Sequence, residues 1–103
     1  MPAPLTVVTW NVLHRVHAEN WAEEVPDRHP DEGARLAGLA SRVAGLAADS
    51  ALVALQEVSG DLLGDLRAAA PGAQVFSLCY PRVPRPREGT RHRAALRDPS
   101  EHL

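Results

Sequence analysis

The chain opens on Leu5-Thr6-Val7-Val8-Thr9-Trp10, rich in β-branched and aromatic side chains and held between Pro4 and the turn-forming Asn11, which predicts a first strand. From Leu13 to Pro30 the pattern dissolves into His, Arg, Glu and Trp. Pro26 and Pro30 bias their predecessors away from helix, so this stretch reads as a long loop with one helical turn around Ala18 to Glu24. Asp31 restores periodicity. It and Glu32 begin a helix where the dipole favours anions, and Leu36, Leu39, Val43 and Leu46 then recur three or four residues apart.

Ala51 to Leu55 is a continuous apolar run between Asp49-Ser50 and Gln56-Glu57, the pattern of a central strand buried on both faces. Ser59 or Asp61 is placed to cap a short second helix with Leu62, Leu63, Leu66 and Ala69 inward, stopped by Pro71-Gly72. Ala73 to Tyr80 alternates weakly around Val75 and Leu78 and predicts a third strand. The order strand, helix, strand, helix, strand indicates an α/β architecture. Beyond it, Pro81 to Pro86 favours polyproline-like extension, and Arg91 to Leu103 lacks apolar periodicity. The expected organisation is therefore one α/β unit over residues 1–80 and a disordered, irregular Pro/Arg-rich tail over 81–103.

A length of 103 residues allows one domain with a modest core, and only 4% aromatic residues leave Leu, Val and Ala to build it. The net charge of -2 conceals an asymmetry: up to Cys79 there are five arginines against ten acids, and after it six arginines against three. All eleven basic residues are arginine, which reads first as base composition of the gene rather than phosphate recognition. The single Cys79 excludes an internal disulfide and is expected to be an inert core thiol. No apolar run reaches membrane-spanning length and no secretory leader is visible, so a cytoplasmic location is expected.

Candidate chemistry gathers just past the first two strands. Ligands of open α/β sheets bind beyond the carboxyl ends of neighbouring strands, where Asn11 and Gln56-Glu57 stand. An amide oxygen beside a carboxylate is a hard-oxygen environment suited to Mg²⁺ or Mn²⁺. The plain structural alternative is that Asn11 makes a turn and Glu57 is a solvated strand end. His14 and His17 are candidate phosphate or metal contacts as well as ordinary loop histidines. Trp21 is a candidate stacking edge for a substrate, or a packing lid over the sheet. The arginines at 82, 85, 87, 91, 93 and 97 lack interleaved aromatics and read as a solvated tail.

Thr9-Trp10-Asn11-Val12 at the end of one strand, followed by Leu55-Gln56-Glu57 at the end of the next, resembles the endonuclease/exonuclease/phosphatase family, the deoxyribonuclease-I-like phosphodiesterases. The resemblance covers residues 5 to 80 and the first part of the family domain only. It implies a four-layer α/β sandwich of two packed sheets, of which this chain holds part. It further implies Mg²⁺- or Mn²⁺-dependent hydrolysis of a phosphate ester, nucleic acid included. Glu57 matches the metal-binding carboxylate, Asn11 the amide that orients metal and scissile phosphate, and Gln56 a supporting residue. The family's later Asp, Asn and Asp-His motifs are missing, and Asp98-Pro99-Ser100-Glu101-His102 lacks their pattern, so His102 receives no role. The implied fragment is expected to be inactive alone, with Val7, Leu52, Leu55 and Val75 partly uncovered unless a partner chain completes the sandwich. The alternative function is a non-catalytic interaction module that binds anionic partners through its arginine-rich tail.

Overall fold

Strands β1 (Thr6–Asn11) and β2 (Ala51–Gln56) pair in parallel, with Val8 opposite Val53 and Asn11 opposite Gln56, in a computed structural model that describes residues 4–21, 24–49, 51–90 and 94–103. Parallel pairing demands a long crossover. It is formed by α1 (Arg15–Asn20), α2 (Glu24–Arg28) and α3 (Glu32–Ala48). Asp31 caps α3 by accepting the Ala34 N–H at 3.0 Å, and the helix turns Leu36, Ala40 and Val43 into the core. Beyond β2 come β3 (Val58–Ser59), α4 (Gly60–Ala69) and β4 (Glu101–His102). Ser59 caps α4 by accepting the Leu62 N–H at 3.1 Å, and Leu62, Leu63 and Leu66 pack with the α3 stripe. Trp10, Val53 and Leu55 pack against this core from the covered face of the sheet. The class is mixed α/β, with a two-stranded parallel sheet and a two-stranded antiparallel one.

Five expectations change. The stretch read as a loop folds into α1 and α2, organised by polar contacts that leave no apolar rhythm. The fully buried Arg15 donates to Glu19 at 2.9 Å and to the His29 carbonyl at 2.6 Å. Arg35 donates to the carbonyls of Val12 and Leu13 at 2.9 and 2.8 Å while held by Glu32 at 2.6 Å. Pro26 is tolerated because it lies in the first turn of α2, where an amide proton would have no helical acceptor.

The apolar run of β2 is covered on one face only: Val53 and Leu55 face the core, while Leu52 and, beside it on β1, Val7 are exposed. An unbroken apolar run is what a central strand needs, and here the second face stays more than half exposed at Val7 and Leu52. The third strand reduces to a single bridge at Cys79, with Val75 and Leu78 exposed. Cys79 is itself exposed rather than a core thiol.

The end of the chain is tied down. β4 pairs antiparallel with β3, Val58 opposite His102. Leu103 exchanges backbone hydrogen bonds with Leu78 at 3.0 and 3.3 Å, and Tyr80 N–H donates to the Glu101 carbonyl at 2.8 Å. The Asp61 carboxylate accepts the N–H groups of Arg97 and Asp98 at 3.0 and 2.6 Å. Backbone and side-chain polar bonds, not apolar periodicity, dock this segment. Residues 81–90 carry neither helix nor strand, and Arg91 and Arg93 of the basic cluster lie outside the described residues. No helix among the described residues is long and apolar enough to cross a membrane.

Candidate functional site

Both parallel strands leave the sheet through left-handed residues. Leu13 has φ 62° and Glu57 φ 58°, conformations that cost a non-glycine residue roughly 1–2 kcal/mol each. At Leu13 the turn is supported by the Asn11 side chain, whose Oδ1 accepts the Leu13 N–H at 2.9 Å. The Val12 N–H still reaches the Gln56 carbonyl at 3.1 Å, so Asn11 and Glu57 stand at the same end of the sheet. Their side chains serve different neighbours.

Asn11 lines an open hollow of about 860 Å³ between the end of β1 and α3. Arg28, His29, Asp31, Arg35 and Arg42 also line it, so its polar rim carries both signs of charge. Arg28 pairs with Glu24 at 3.0 Å and Arg35 with Glu32, whereas Arg42 has no ion-pair partner among the described residues. Gln56 uses its amide within the sheet, donating to Thr9 Oγ1 at 3.0 Å and to the Ala54 carbonyl at 3.2 Å.

Glu57 instead meets His17 of α1 and Glu101 of β4. One ligand atom from each of these three lies within 4.8 Å of the others. His17 Nε2 is 2.7 Å from Glu101 Oε2 and 3.8 Å from Glu57 Oε1. A carboxylate accepts only, so the short contact is an Nε2–H donated to Glu101. The longer one is outside hydrogen-bonding reach. Glu57 thus receives no hydrogen bond from a described residue although its side chain is only 26% exposed.

His14 is placed differently from expectation. It is buried, its Nδ1 accepts the Val16 N–H at 3.2 Å and its Nε2 donates to the Pro99 carbonyl at 2.9 Å. Those bonds define the neutral Nε2–H form, and burial, opposed by the bond to Pro99, lowers its pKa from 6.5. It joins α1 to the tail rather than contacting a substrate, and its ring meets that of His17 edge-on at 5.5 Å. Trp21 is exposed, with the Arg87 guanidinium 4.4 Å over one face. Arg87 is seated there by its N–H, which donates to Asn20 Oδ1 at 2.8 Å.

Asp98, Ser100 and His102 supply the residue types of a hydrolase triad with the wrong polarity. Ser100 Oγ lies 2.6 Å from Asp98 Oδ1 and 2.8 Å from His102 Nε2. Donation by Ser100 holds the Asp98 carboxyl below the usual carboxylate range. With the hydroxyl proton directed at Asp98, His102 must donate to the serine oxygen and cannot act as its base. Glu101 was invisible to sequence reasoning because it lies 44 positions after Glu57 in a segment without periodicity. The Glu101-His102 pair flanked by Ser100 held no signal that a strand would bring it back to β3. No family model, curated protein or solved structure matches the chain.

Proposed function

We propose that the chain is the metal-binding part of a phosphoester hydrolase of the endonuclease/exonuclease/phosphatase type. The observation that carries this reading is the parallel register of β1 and β2, which brings Asn11 and Glu57 to one end of a sheet after a helical crossover. The hollow beside Asn11 adds one arginine without an ion-pair partner among the described residues, Arg42, that could meet a phosphate ester.

The residues at this end suit a hard divalent cation. Glu57 offers a carboxylate that accepts no hydrogen bond from a described residue, with His17 Nε2 3.8 Å away, and Asn11 Oδ1 retains a second lone pair beyond the one turned to Leu13. Glu57 would hold Mg²⁺ or Mn²⁺, and Asn11, whose side chain is turned to Leu13, would have to swing toward Glu57 to join it; the ion would supply Lewis-acid polarisation of a phosphoryl oxygen and stabilisation of the leaving alkoxide. Asn11 orients the ester toward that ion, Arg42 neutralises phosphate charge, and Gln56 keeps the strand end in register through Thr9. The uncovered sheet face bearing Val7 and Leu52 is where the second sheet of a four-layer sandwich would pack, contributed by a partner chain.

Urea unfolding followed by circular dichroism, with and without millimolar Mn²⁺ or Mg²⁺, on wild type and Glu57→Gln tests the metal-binding part of this reading. A transition that the metal shifts to higher urea in wild type only is expected, while hydrolysis of bis(p-nitrophenyl) phosphate by the chain alone stays at the metal-only background. A wild-type transition indifferent to metal, or one equally stabilised in Glu57→Gln, refutes it.

A further inference from the structure

We infer that His17, Glu57 and Glu101 form a second-generation ligand set of their own: a one-histidine, two-carboxylate site for a divalent transition ion of the Mn²⁺ to Zn²⁺ series. The inference shares Glu57 with the hydrolase reading but rests on the convergence of α1, the β2 exit and β4. Substitutions at His17 and Glu101, which the hydrolase reading does not use, keep the two separable.

Three observations carry it. The three side chains come from segments 40 and 44 residues apart, and their ligand atoms lie within 4.8 Å of one another. Donor atoms about 2.0–2.2 Å from a common ion stand about 3–3.5 Å apart, and the observed separations of 2.7 and 3.8 Å from His17 Nε2 bracket that spacing. Finally, Glu57 is three-quarters covered yet receives no hydrogen bond among the described residues. Its oxygens are not held by any described donor, so a cation between Glu57, His17 and Glu101 could be bound without first displacing a hydrogen bond to Glu57.

The donor chemistry selects the ion. Mg²⁺ prefers oxygen ligands and retains its waters, whereas an imidazole nitrogen favours Mn²⁺, Co²⁺ or Zn²⁺. Three protein ligands leave at least one position open to water or a phosphate oxygen, the pattern of a reactive rather than a closed structural site. Binding through Nε2 requires the proton now donated to Glu101 to leave that nitrogen, and in a neutral ring it moves to Nδ1 with none lost to solvent. Because Glu101 belongs to β4, the ion would also tie the end of the chain to α1.

Titration calorimetry of the full chain with Zn²⁺, Mn²⁺ and Mg²⁺ tests this. One Zn²⁺ per chain is expected, bound about tenfold or more tighter than Mg²⁺, and weakened about tenfold or more in both His17→Asn and Glu101→Gln. Binding unaffected by either substitution, or no preference over Mg²⁺, overturns the proposal. Electron spin-echo spectroscopy of wild-type chain loaded with Mn²⁺ covers the case of a variant that does not fold. Modulation from one imidazole nitrogen is expected, and its absence overturns the site.

Discussion

His14 is a neutral imidazole enclosed between α1 and the tail, and its lowered pKa makes it a liability in acid. The unfolded chain takes up this proton near the ordinary value of 6.5, whereas the folded chain resists until a lower pH. Between those values the unfolded state binds more protons, so the contribution is complete above about pH 6.5 and is lost as pH falls. Urea unfolding from about pH 7.5 down to 5 should show stability declining by up to about 1.4 kcal/mol per pH unit from this group. His14→Gln should have a shallower decline over the same interval. Equal slopes would mean that the imidazole protonates as readily in the folded chain as in the unfolded one. Glu57 illustrates a different residue-scale compromise: its left-handed backbone turns the carboxylate out of the β2 line toward His17 and Glu101, at a conformational cost that a strand-end residue would otherwise avoid.

At the scale of elements, the start of α4 and the end of the chain are built for each other. Gly60 donates its N–H to the Ser100 carbonyl at 3.1 Å, and a Cβ at position 60 would run into the Asp98 side chain. Asp98 cannot easily yield, since it holds Ser100 through two hydrogen bonds while its own N–H is bound by Asp61. Gly60→Ala should therefore release residues 97–103 and leave α3 against α4 intact. Hydrogen exchange is expected to accelerate at Gly60, Tyr80 and Leu103 and to stay slow along α3; unchanged protection at those three amides would disprove the steric account. The same docking delivers Glu101 to His17, so Gly60→Ala is also expected to weaken Zn²⁺ binding without altering any ligand.

For the whole molecule, the consequential feature is a parallel pair of strands covered by helices on one side only. Val7 and Leu52 are 59% and 56% exposed on the other side, and the pair has no further strand at either edge among the described residues. Sheets of this kind bury both faces in ordinary α/β folds, so the face is an adhesive surface. Binding of the dye 8-anilinonaphthalene-1-sulfonate should be strong in the wild type and fall by about half or more in Val7→Thr/Leu52→Thr, with the unfolding midpoint nearly unchanged because neither side chain packs in the core. Dye binding insensitive to that double substitution would locate the adhesive surface elsewhere, as in the apolar groove between α4 and Phe76.

Local pattern alone was enough for β1, β2, α3 and α4, together with the start of α3 at Asp31-Glu32 and the Ser59 alternative for the cap of α4. Each depends on propensity, period or a capping side chain that a few neighbouring residues express. The same local information placed Asn11 and Glu57 beyond two strand ends. Their common end of one sheet required the parallel register. The helices α1 and α2 were not legible because buried arginines and backbone carbonyls, rather than apolar spacing, organise them. The segment around Glu101 was illegible for a related reason: a two-residue strand has almost no intrinsic preference and exists through pairing with Val58 and Ser59. Only the tertiary structure could decide that Glu57 faces His17 and Glu101 rather than Asn11, because sequence patterns carry the periodicity of single elements, whereas side-chain convergence across 84 positions depends on how those elements dock.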